Sequence, residues 1–140
     1  MNRYCQQPHR SVERGFTLVE MLIVIAIISI LSAVAFPAYR DYVARGNITG
    51  ATSALAELRT RAEQWFADRR TYIGFSCTPS EAPRQFTVAC NQDVNTFMIT
   101  ASGTGGMAGY SYTINQANAK TSTTPTSSGA CWITKNGGSC

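Results

Sequence analysis

From Phe16 to Phe36 the chain reads FTLVEMLIVIAIISILSAVAF, apolar at nearly every position and broken by one charge. A helix over that run is about 32 Å long, against a hydrocarbon layer of ~30 Å, so it is long enough to span a membrane. Pro37 then removes one backbone hydrogen bond and crowds the preceding turn. Helical spacing nevertheless resumes: Ile48, Ala51, Leu55, Leu58, Ala62 and Trp65 or Phe66 recur at three and four. The pattern predicts one helix running through Pro37 to about residue 70. Gly46 and Gly50 are its soft points, each about 1 kcal/mol weaker than alanine.

Beyond Arg69 the period drops to two. Phe86–Cys90, Phe97–Ala101 and Tyr110–Ile114 alternate or nearly so, bounded by Gly, Pro, Asn or Ser, and read as strands. Asn115–Asn118 has the composition of a hairpin turn whose second arm starts near Lys120, and Trp132–Thr134 is expected to add a short edge strand. Thr121–Ser128, TSTTPTSS, reads as a solvated hydroxyl-rich connector able to carry O-glycans. The Asn47-Ile-Thr49 glycosylation sequon falls inside the predicted helix and is discounted. The Trp65/Phe66 stripe needs an apolar surface, and one face of this sheet is the candidate of sufficient size. The expected class is α+β, a long helix packed on an antiparallel sheet.

Charge orients this arrangement. The net charge is +4, and Arg3, Arg10 and Arg14 outweigh Glu13 in the first fifteen residues. Basic residues directly before an apolar span favour a cytoplasmic N-terminus with the rest on the far side. The remaining excess is too small to call by itself for a strong polyanion partner.

Of the five cysteines, Cys5 precedes the span, while Cys77, Cys90, Cys131 and Cys140 follow it. An even set outside the reducing cytosol reads as two disulfides. Three pairings are possible. Cys77 with Cys90 and Cys131 with Cys140 is preferred, because each closes a short loop of turn-forming residues. With no CxxC pair, and with His9 the single histidine, a zinc site is not expected.

Nor is catalysis expected. Glu57, Glu63, Asp68, Glu81 and Asp93 show no paired-acid spacing, and no nucleophile, base or metal set is evident. Glu57 with Arg61, and Glu63 near Arg59, read as helix-surface ion pairs. No cofactor is implied.

Glu20 needs a reason. A carboxylate within a membrane helix is costly, less so near an end, and it does not help export. One alternative is a cleavable signal, with Ala33-Val34-Ala35 serving a signal peptidase and a soluble disulfide domain released after Ala35. The apolar run is long for that.

R-G-F-T-L-V-E at 14–20, followed by the apolar run, resembles the processing motif of type IV prepilins, with Phe16 similar to the type IVa branch. The resemblance implies cleavage after Gly15 by prepilin peptidase, N-methylation of Phe16, and pairing of Glu20 with the N-terminal amine of a neighbouring subunit. Physics supplies a reason, since a buried charge becomes tolerable when paired and hydrogen-bonded, and such a pair fixes register. The implied parts are a leader at 1–15, a transmembrane and filament-core helix at 16–37 including Pro37, and a periplasmic or extracellular head at 38–140. The implied partners are other pilin subunits, the peptidase, the inner-membrane assembly machinery and, before assembly, the membrane. The precursor would sit in the bacterial inner membrane and end in an extracellular pilus serving adhesion, twitching motility or DNA uptake. A type II secretion pseudopilin is a close cousin.

The stretch from Thr96 to Lys120 and the terminal CW…C loop are similar to minor pilins, and the fifteen-residue leader leans the same way. Some minor pilins of competence systems are DNA receptors. Arg84, Lys120 and Lys135, with Trp132 as a stacking ring, are the residues that could hold phosphate and a base. The plainer reading makes Trp132 part of the core and Lys135 a solvated turn residue.

Overall fold

The computed structural model describes residues 15–135 and 137–140. The expected leader up to Arg14, with Cys5 and His9, lies outside the described residues. One helix, α1, spans Leu18–Arg69 and contains Pro37. The chain forms two units that divide between Pro37 and Ala38.

In the first unit the apolar side chains from Phe16 to Phe36 are exposed throughout. This helix is long and apolar enough to cross a membrane. Among the described residues nothing covers it, so its apolar surface calls for lipid or protein.

The second unit is a five-stranded antiparallel meander beneath the later part of α1. Its strands are β1 (Phe86–Gln92), β2 (Phe97–Gly103), β3 (Ser111–Asn115), β4 (Lys120–Thr123) and β5 (Ser128–Gly129), adjacent in that order. The helix buries Ile48, Ala51, Ala54, Leu55, Leu58 and Ala62, the stripe the spacing predicted with Ala54 added. Opposite lie Phe97, Ile99 and Ala101 of β2 and Tyr112 and Ile114 of β3, all buried. Rows such as Val88–Ala101–Tyr112–Ser122 set one face of the sheet against the helix. At the far end Phe66 stacks on Tyr72 at 4.6 Å between centroids, and Tyr72 meets Phe97 edge-on at 4.8 Å.

Cys77 is bonded to Cys90 and Cys131 to Cys140, across 13 and 9 residues. The first ties the α1–β1 loop to β1. Glu57 and Arg61 hold the same loop: the Ser80 N–H donates to Glu57 Oε1 at 3.2 Å, and Arg61 Nη1 donates to the Thr78 carbonyl at 2.8 Å. Their own ion pair, at 3.3 Å, is the one expected on the helix surface.

Four expectations are corrected. Trp132–Thr134 is not a strand; the sheet ends on β5. Side chains take the hydrogen bonds that a ladder would need there. Ser122 Oγ donates to the Cys131 carbonyl at 2.6 Å and accepts from the Ile133 N–H at 3.0 Å, and Tyr112 Oη donates to the Ile133 carbonyl at 2.7 Å. Burial pushes the Tyr112 hydroxyl up to about 12, with Tyr110 adding to it. Nor is Thr121–Ser128 a simple connector, since its start belongs to β4 and Ser122 and Thr124 are buried. β3 begins at Ser111 because Tyr110 belongs to the preceding turn, its N–H donating to the Met107 carbonyl at 3.1 Å. Finally, Glu63 does not pair with Arg59 among the described residues; it accepts the Tyr72 hydroxyl at 3.2 Å.

Candidate assembly site and nucleic-acid contacts

Gly15, Phe16 and Thr17 precede the first turn of α1, and Phe16 is 83% exposed. Thr17 caps the helix. The Glu20 N–H donates to Thr17 Oγ1 at 3.2 Å, while the Thr17 N–H and hydroxyl both donate to Glu20 Oε2 at 2.8 Å. This is a capping box: a threonine and a glutamate three residues later satisfy each other's orphan groups at a helix start. The reciprocal bonds hold the carboxylate at the positive end of the helix. The expectation for Glu20 left Thr17 out, although the T-x-x-E spacing was visible in the sequence. Both bonds fall on Oε2, so Oε1 is not used by Thr17.

Arg84, Lys120, Trp132 and Lys135 are not brought together. Lys120 Nζ lies 4.6 Å from the centre of the Trp132 ring, and Trp132 Nε1 donates to the Thr113 carbonyl at 2.9 Å. Trp132 is half-buried against the core with its N–H committed and an ammonium on its ring. The lysine therefore occupies the side of the ring on which a base would otherwise stack. Lys120 shares the row of Ile114, Ile99 and Cys90, while Arg84 lies just before Phe86 at the other end of β1. Three strands across and four residues along separate Lys120 from Phe86, roughly 20 Å, and Arg84 lies beyond Phe86. Arg84 lines a cavity of about 540 Å³ between α1 and its following loop, together with Glu57 and Glu81. Lys135 lines a smaller one with Asp41, Arg45 and Tyr110. One cation over one ring therefore remains of the expected four-residue set.

Two family patterns meet at Pro37. Residues 10–36 match the prokaryotic N-terminal methylation motif, and residues 37–132 match the family described as type IV minor pilin ComP, DNA uptake sequence receptor. The chain belongs to this family. Its α1-on-sheet architecture, closed by the Cys131–Cys140 loop, is consistent with the type IV pilin fold.

Among curated relatives, this pilin is similar to fimbrial protein EcpC of Eikenella corrodens, 34% identical over 98 residues that cover 70% of this chain and 61% of the relative. It is also similar to a fimbrial protein of Pseudomonas aeruginosa, 44% identical over 69 residues, 49% of this chain and 44% of that one. Type IV major fimbrial protein FimA of Dichelobacter nodosus is 36% identical over 90 residues, 64% of this chain and 52% of the relative. The matches thus span between 44% and 61% of these relatives' own lengths. No solved structure matches. The methylation motif and the exposed apolar helix of this pilin fit a membrane-anchored precursor that becomes a pilus subunit.

Proposed function

We propose that this pilin is a structural, non-catalytic subunit of a type IV pilus. Prepilin peptidase cuts after Gly15 and methylates Phe16; the precursor waits in the inner membrane with its N-terminus cytoplasmic; the inner-membrane machinery then draws it into an extracellular filament with other pilins. The parts are the leader at 1–15, the helix at 16–37 and the head at 38–140. One observation carries the reading: a single carboxylate, Glu20, placed just beyond the Gly15–Phe16 bond in an apolar helix that is exposed among the described residues. In an apolar filament core that charge needs a partner, and the amine created on Phe16 supplies it. N-terminal sequencing of the protein from cells tests this. Methylated Phe16 is expected, whereas an unmodified Phe36 would mean a secreted soluble domain.

A second use, as a minor pilin that receives DNA during uptake, is supported by the family matched over residues 37–132 and by the Lys120 ammonium over Trp132. Lys120→Ala should lower DNA uptake while piliation stays normal. Unchanged uptake would remove Lys120 from that role.

A further inference from the structure

We propose that the end of the head where α1 enters it binds phospholipid headgroups, through Tyr39, Arg40, Tyr42 and Arg45 on α1 and Lys135 from the C-terminal loop. The proposal rests on the membrane-anchored reading and adds the lipid group that the head grips.

Tyr39 and Tyr42 are 67% and 73% exposed, whereas the nine other aromatic side chains of residues 38–140 are buried or half-buried. They follow the end of the apolar run at Phe36 by three and six residues. A tyrosine ring with an apolar body and a polar tip is most stable at a membrane–water boundary, which gives these two rings a reason to be uncovered. Successive helix positions turn by about 100°, so Tyr39, Arg40, Asp41 and Tyr42, all exposed, encircle α1.

The cations point to the occupant. Arg45 and Lys135 line the same small cavity, which joins the C-terminal loop to this turn of the helix. Arg45 Nε donates to the Asp41 carbonyl at 3.3 Å, which draws the guanidinium one turn back toward the start of the head. Asp41 lines that cavity too, so two cations, Arg45 and Lys135, stand there against one carboxylate, while Arg40 adds its charge from another side of the helix. Phosphate is the anion that every phospholipid headgroup presents, and an anionic leaflet strengthens the attraction. The contact would fix the depth at which the precursor waits, and it must break when the subunit leaves the bilayer.

The chain has two lysines, Lys120 and Lys135. The full chain, labelled with 15N-lysine and 13C-isoleucine, is reconstituted into bilayers of phosphatidylglycerol and phosphatidylethanolamine. Solid-state NMR then measures dephasing of each ammonium nitrogen by lipid 31P, with Lys135→Gln assigning the signals. Dephasing of Lys135 but not Lys120 is expected, reduced at least twofold in Arg45→Gln. No dephasing at Lys135, or equal dephasing at both lysines, overturns the proposal. Acyl-chain contacts of the span's isoleucines, from the same samples, separate the two readings. If those contacts are present and Lys135 is silent, headgroup binding alone fails; if both are missing, membrane anchoring fails with it.

Discussion

Thr17 and Glu20 close on each other at the start of α1, with 2.8 Å bonds from both the Thr17 N–H and its hydroxyl to one carboxylate oxygen. The charge that the filament would use is thus already held in place within a single chain. A new amine on Phe16 would arise beside this pair, and Glu20 would arrive in the filament preset to meet the amine of a neighbour.

Glu20→Ala should therefore leave membrane insertion unchanged and cut entry into filaments by about tenfold or more, since an uncompensated amine in an apolar core costs several kcal/mol. Comparing the variant in membrane and sheared-pilus fractions checks this. Normal incorporation would contradict the role given to Glu20.

Tyr112→Phe should destabilise the head by about 1–3 kcal/mol, because the Ile133 carbonyl loses its 2.7 Å donor within a buried site. Chemical denaturation of the detergent-solubilised chain measures it. The same variant should speed amide exchange in the 131–135 segment, which Tyr112 and Ser122 tie to the sheet.

Losing either disulfide should cost about 2–5 kcal/mol. Thermal melts of Cys77→Ser/Cys90→Ser and Cys131→Ser/Cys140→Ser, each against the parent with and without reductant, read the two separately. A parent indifferent to reductant would mean that neither bond stabilises the fold.

Glu57 gives a pH dependence. The Ser80 hydroxyl, then the Ser80 N–H and Arg61, hold its carboxyl below the ordinary value of 4.5 against a smaller cost of burial. A carboxyl lowered by folding stabilises the fold when ionised. Its contribution is therefore complete above the unfolded value and is lost as pH falls through the folded one. Glu57→Gln should accordingly melt below the parent at neutral pH, and the gap should close below about pH 4. A gap independent of pH would mean that the carboxylate charge does not hold the Ser80 loop.

Much of this protein was legible in advance because its signals are local. The spacing of Ile48, Leu55, Leu58 and Ala62 marks one side of a helix whatever lies opposite, and the helix buries that side. Phe97-Met-Ile-Thr-Ala alternates because β2 has one buried and one open face. The T-x-x-E cap was equally local. The segment from Cys131 was not, because the side chains that hold its backbone, Tyr112 and Ser122, come from strands nine to 21 residues away.

The apolar length of Phe16–Phe36, the placement of Glu20 beside Gly15 and the α-then-β order are written in residue types and short spacings, which chain connectivity alone brings into register. Only the tertiary structure decided that Lys120 covers Trp132, that Arg84 lies near Glu57 and Glu81, and that Lys135 joins Arg45. Those neighbours come from β4, from α1 and from the loops that follow α1 and β5, so their proximity depends on how the sheet pairs and packs.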